Sequence, residues 1–362
     1  MKWDKKSAEV TYALTRAPFF NSSEFSSILG MKQSTFTTVR NRLMDRGVME
    51  FLWLPVPNAL DMIIRGIEFG RLNYLLDKKE AVEILTENAK IEGSIFSLTT
   101  DGIDYYIQAL SPSYTSMKNL FEESSIGCKR CRTKFPREHG RYFFEVNSDV
   151  VRSMYDYSKL LENLGNNRPS QRLTERDWPT VYGKSLEPVE ISAPIKGILL
   201  KILENPGRSD GEIASMLGVS RQNVGRARLK LERDHLMVRA YTVNTYLLGY
   251  RIRTFFTIFF RDDPSSKKEG DLEDFLTYKR PQCWLKNGPI ATFQYDFKDL
   301  SSMKSFRNAL YRKGGEDLAE VKSVSISLGS ASEVVQSCPK TWPNEQRGQF
   351  KNGADRSRGV VY

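Results

Sequence analysis

Between Ser220 and Arg239 the chain reads SRQNVGRARLKLERDHLMVR, with hydrogen-bonding side chains at helical spacing. At 3.6 residues per turn, Gln222, Asn223, Arg226 and Lys230 share one face and Val224, Ala227 and Leu231 the opposite one, with Arg221 and Arg228 on the flanks. Arginine bonds guanine bidentately, asparagine and glutamine bond adenine, and any of these cations can meet a phosphate. An apolar back behind such a front suits a helix lying in a DNA major groove.

The surrounding residues position that helix. Glu212–Leu217 reads as a short amphipathic helix with Ile213, Ala214 and Leu217 inward, Gly218 breaks it, and Val219 plugs the corner. Ser220 is the expected N-cap of the next helix, which runs to about Asp234. Arg239 follows at the start of a β-wing. The pattern is a winged helix-turn-helix. Its bland alternative is a solvated polar face used for protein contacts.

Residues 7–50 look like a degenerate copy. Helices are expected at Ala8–Thr15 (Val10, Ala13 and Leu14 inward), at Ser22–Leu29 with Ser22 as N-cap, and at Gln33–Arg46 (Phe36, Val39 and Leu43 inward). An offset of 188 residues carries Leu29-Gly30-Met31 onto Leu217-Gly218-Val219 and Leu43 onto Leu231, as an internal duplication would. The equivalent front is Ser34, Thr35, Thr38 and Arg42, with Gln33 and Arg40 at the sides. It binds DNA with fewer charge-assisted bonds, or is kept for packing. The wing there is acidic and aromatic (Glu50, then Phe51-Leu52-Trp53-Leu54), which favours protein contact.

Each copy continues in the order β-α-β-β-α-β, the split βαβ arrangement of ferredoxin-like domains. Asp101-Gly102 and Asn287-Gly288 mark the hairpin turns. The expected fold class is α+β: two winged helix-turn-helix domains, each followed by a ferredoxin-like (βαββαβ) domain. The boundaries read 1–56 and 57–150 for the first copy, 151–190 for a linker opening as a helix, 191–244 and 245–330 for the second copy, and 331–362 for a disordered tail. Phe255–Phe260 is apolar on both faces, so helices must cover one face and a second sheet the other.

The order helix-turn-helix, wing, ferredoxin-like domain resembles the leucine-responsive regulator (Lrp/AsnC) family. The residues carrying the resemblance are Ile198–Tyr241 and Leu248–Phe260, and it is weaker over Ser7–Asn147. It implies a transcription regulator that binds double-stranded DNA, dimerises through its α+β domains and senses a small molecule there, often an amino acid. Members usually hold one copy, so this chain is expected to be a pseudo-symmetric monomer or a homodimer. Thr100-Asp101-Gly102-Ile103-Asp104 is the nearest candidate for the family's glycine-rich effector turn.

Composition agrees with an anionic partner: 54 Lys and Arg against 44 Asp and Glu, a net charge of +10. No apolar run reaches membrane-spanning length, no signal-peptide core is evident, and four cysteines do not make a disulfide scaffold. A cytoplasmic protein is expected. Cys128 and Cys131 form a CxxC with His139 nearby, but a structural zinc site needs four ligands and no second close pair exists, so no metal is expected there. With two histidines and no phosphate loop, dinucleotide fingerprint or nucleophile elbow, neither a cofactor nor enzymatic activity is expected. The alternatives are a winged-helix adaptor for proteins and a siroheme-decarboxylase-like enzyme, since those enzymes also resemble paired winged helix and Lrp-like domains.

Overall fold

The computed structural model describes residues 4–18, 20–71, 95–123, 140–146, 149–162, 190–261, 266–279, 281–315 and 318–335. Residues 72–94, the CxxC with His139, residues 163–189 and the tail from 336 lie outside the described residues.

Two tri-helical units are present. The first holds α1 (Lys5–Arg16), α2 (Ser22–Ile28) and α3 (Gln33–Asp45), followed by β1 (Met49–Pro55). The second holds α6 (Ala193–Glu204), α7 (Asp210–Leu217) and α8 (Arg221–Arg233), followed by β7 (Met237–Val243). The bounds of α1 and α6, of α3 and α8, and of β1 and β7 are each 188 residues apart. Val10, Ala13, Leu14, Phe36, Val39 and Leu43 are buried in the first unit, and Ile213, Ala214, Val224, Ala227 and Leu231 in the second, on the faces that their periodicity gives. Capping differs in one place. Asn21, not Ser22, caps α2, because its side chain accepts from the Ser23 and Glu24 amides while Glu24 reaches back to the Asn21 amide.

Neither unit folds its strand back into a wing hairpin among the described residues. Instead β1 and β7 pair with each other, antiparallel, from Met49 opposite Val243 to Pro55 opposite Met237. Phe51 faces Tyr241 and Trp53 faces Arg239, so the aromatic strand of the first unit covers the second.

Two five-stranded antiparallel sheets follow. The first contains β2 (Ile64–Arg71), β3 (Ile95–Thr100), β4 (Asp104–Ser111) and β5 (Gly140–Glu145), with α4 (Tyr114–Glu123) on one face. The second contains β8 (Ile252–Phe260), β9 (Cys283–Asn287), β10 (Ile290–Phe297) and β11 (Leu318–Ser327), with α9 (Ser266–Lys279) and α10 (Leu300–Gly314). The fifth strand of each sheet comes from the other half of the chain. β6 (Asp149–Ser153) pairs with β9, and β12 (Ser332–Val335) pairs with β3. This corrects two expectations. The segment from 151 opens as a strand and only then forms a short helix, α5 (Ser158–Glu162), and the tail from 331 begins as a strand. The reason is common to both: β9 and β3 would otherwise be sheet edges with unpaired backbone groups.

The helix layer of the second sheet is aromatic, with Phe256 stacked on Phe293 at 4.8 Å and Phe306 packed against both. In the first sheet Gly66 leaves the space that Phe121 and Met117 of α4 occupy, so a Cβ there would collide with both. The opposite faces of the two sheets meet each other. Tyr106 of β4 and Phe255 of β8 stack at 3.8 Å with an interplanar angle of 7°, amid Ile67, Phe69, Phe144, Val324 and Ile326. The first sheet is therefore the cover that the doubly apolar strand β8 requires.

No helix among the described residues is long and apolar enough to cross a membrane. The stacked pair generates a test. Phe255→Ala is expected to destabilise the chain by about 3–5 kcal/mol in urea unfolding. A double-mutant cycle with Tyr106→Ala is expected to show about 0.5–1.5 kcal/mol of coupling; zero coupling would mean that the sheets part in solution.

Candidate nucleic-acid interface

The helix α8 is held at its start and from behind. Ser220 accepts the Asn223 amide at 3.2 Å, so its hydroxyl serves as the cap and fixes where the helix starts. Gly218, at φ 66°, closes α7 in the left-handed region and sets the turn between the two helices. Val224, Ala227 and Leu231 anchor the back in the core.

Arg221, Gln222, Asn223, Arg226 and Lys230 are all exposed, and their side chains make no hydrogen bond or ion pair among the described residues. Leu229 stands outward on the same helix, 70% exposed. The face thus offers three cations, two amides and one apolar side chain with little internal claim on them.

Two expected contacts are placed differently. Arg228 turns to the N-terminus of α7 and pairs with Asp210 at 2.7 Å, while Arg239 pairs with Glu232 at 2.7 Å. Both guanidinium groups lie over the Trp53 ring, at 5.7 and 5.4 Å from its centroid. They fasten the second unit to the strand of the first, because Trp53 arrives opposite Arg239 in the β1–β7 ladder. Sequence position alone leaves Arg228 on a flank. The nearby acid and the ring from a distant strand decide which way it turns.

The first unit repeats the pattern with weaker chemistry. Gln33, Ser34 and Thr38 are exposed and Thr35 is half-buried. Arg40, the counterpart of Arg228, donates to the Ser22 hydroxyl at 3.3 Å. Arg42, the counterpart of Lys230, pairs with Asp4 at 2.9 Å and donates to Ser7 at 2.8 Å. Both cations are engaged by neighbouring side chains of the same unit.

The turn expected to bind an effector is also committed internally. One Asp101 oxygen accepts the Ile103 and Asp104 amides, and the other accepts the Ser327 amide of the second sheet at 2.9 Å. It clasps the two domains together. Sequence reading missed a further buried constellation. Arg253 and Asp296, 2% and 0% exposed, form a two-bond ion pair in which Asp296 also accepts from Thr245. The interstrand register that brings them opposite each other is not visible in either residue's neighbourhood.

No protein-family model and no curated protein matches the chain. Solved structures do. The siroheme decarboxylase NirDL matches with a TM-score of 0.45 and 11% identity over 98% of this chain and 99% of that one. AsnC from E. coli matches with a TM-score of 0.28 and 17% identity over 38% of this chain and 93% of that one. A transcriptional regulator in complex with L-Met from Neisseria meningitidis matches at 0.32 and 14%, over 39% and 89%. The expectation that the chain has no enzymatic activity does not stand beside this finding: a structure matched over 98% of the chain is that of an enzyme, at 10–11% identity.

The α7 cap is itself testable. Glu212 accepts the Ser209 amide and is bonded by Arg208 and the Ser209 hydroxyl, and these hold its carboxyl down at about 2. A depressed carboxyl stabilises the fold above its ordinary range and loses that contribution as pH falls toward 2. A carboxyl NMR titration should place the Glu212 midpoint near 2. Ser209→Ala should raise that midpoint and cost about 1 kcal/mol of stability.

Proposed function

We propose that the chain is a transcription regulator that binds double-stranded DNA sequence-specifically, with α8 as its main recognition helix. The observation behind this reading is the exposed set Arg221, Gln222, Asn223, Arg226 and Lys230, on a helix whose start and back are rigidly fixed. In the groove, Gln222, Asn223 and Arg226 would reach base edges, and Arg221 and Lys230 phosphates. The net charge of +10 supports association with a polyanion.

The repeated element bounds support a tandem duplication in which the α+β halves pair within one chain. On that reading the first unit, whose Arg40 and Arg42 are engaged by Ser22, Asp4 and Ser7, adds contacts through Gln33, Ser34 and Thr38. Recognition is then asymmetric, and the preferred site is one strong half-site beside a weaker one.

Fluorescence anisotropy with duplex DNA at several salt concentrations tests this. Affinity should fall with salt, by a slope of roughly 0.9 per phosphate contacted. Arg226→Ala with Lys230→Ala should weaken binding, and the loss of the Lys230 phosphate contact should reduce that slope by about 1. An unchanged slope removes α8 from the interface, and absence of binding at low salt removes the reading altogether.

A further inference from the structure

Beside the outer face of α8 lies a groove of about 320 Å³ between that helix and the N-terminal half of α6. Its walls are apolar, with Ile195, Ile198, Leu217 and Val219 among them, and Arg226 and Lys230 also line it. Ile198 is buried, while Val219 remains 40% exposed at the mouth. Apolar walls next to two cations without an internal partner among the described residues match one chemistry: an apolar chain ending in an anion.

The first unit provides an internal comparison. At the 188-residue offset, Ser7 stands where the second unit has Ile195, Glu9 where it has Gly197, and Arg42 where it has Lys230. There the cation is consumed: Arg42 bonds both Asp4 and Ser7. The same fold thus neutralises this position in one unit and leaves it apolar and cationic in the other.

We propose that the α6–α8 groove binds an amphipathic carboxylate, with its chain between Ile195, Ile198 and Val219 and its carboxylate on Arg226 and Lys230. A carboxylate there accepts charge-assisted hydrogen bonds from both cations. Resting on the DNA reading above, occupancy and DNA binding are mutually exclusive, since the same two side chains serve both. The site is thus a direct competitive switch on the recognition helix, separate from the sheet interface.

Calorimetry of the full chain with decanoate, decylammonium and decanol tests the site without DNA. One decanoate should bind per chain, and decylammonium should not bind over the same range. Arg226→Gln with Lys230→Gln should weaken decanoate about tenfold, the loss of one charge-assisted bond or more, and leave decanol unchanged. Gly197→Glu, which copies the residue of the first unit, and Val219→Trp, which fills the mouth, should each abolish binding, with circular dichroism confirming their fold. No decanoate binding, binding undiminished in folded Gly197→Glu and Val219→Trp, or decylammonium binding as tightly as decanoate overturns the proposal. In a separate anisotropy experiment decanoate should displace duplex DNA. Decanoate binding by a chain that fails to bind DNA leaves the groove assignment standing and ends the DNA reading. DNA binding without decanoate binding does the reverse.

Discussion

The apolar surface of β8 governs this architecture. Phe255 and Phe256 point to opposite faces of the sheet because side chains alternate along a strand, and both are buried. Helices cover Phe256, and a second sheet covers Phe255 through the stacked Tyr106. Leaving either aromatic in water would forfeit about 1.5–3 kcal/mol. The two halves of the chain are therefore held face to face, and other features follow from that placement: the reciprocal edge strands, the Asp101 clasp and the β1–β7 ladder.

The ladder has a consequence for the helical units. A strand that would form half of a local wing is taken by the other unit, and it carries Trp53 into contact with Arg228 and Arg239. Two cations with the right charge for phosphate contact become structural. Those that remain outward, Arg221, Arg226 and Lys230, lie at positions that neither the α7 acid Asp210 nor the Trp53 ring reaches. The difference between the units comes from a few residues. Asp4 and Ser7 engage Arg42, whereas the equivalent surface around Lys230 is apolar and open.

Polar groups buried at the junctions show how the halves are kept in register. Arg253 and Asp296 sit opposite each other in neighbouring strands, and Thr245 from the preceding turn completes the set. Such a pair contributes little net stability against an apolar replacement, but removing one partner leaves a buried charge at a cost of about 3–5 kcal/mol. Near α5, Asp156 takes Arg16 from the first helical unit, and Tyr250 donates to the Leu160 carbonyl. The chain between the halves therefore begins as packed structure, tying α1 to the second domain.

Much of the local architecture was legible from the residues alone, because it depends on near neighbours. The helical periodicity of Val224, Ala227 and Leu231, the caps at Ser220 and Gly218, and the hairpin turns at Asp101-Gly102 and Asn287-Gly288 each involve residues a few positions apart. The 188-residue offset was legible for the same reason, since it compares local patterns. Long-range pairing was not. Nothing near Asp149 or Ser332 states that its strand completes the other half's sheet, because backbone hydrogen bonds carry no sequence label and the need arises only once β9 and β3 become edges. Likewise the sequence determined that residues 221–230 offer cations and amides on one helix face. Only the tertiary structure decided which of those cations are free, since Asp210 and Trp53 reach Arg228 from elsewhere in the chain and leave Arg226 and Lys230 to solvent.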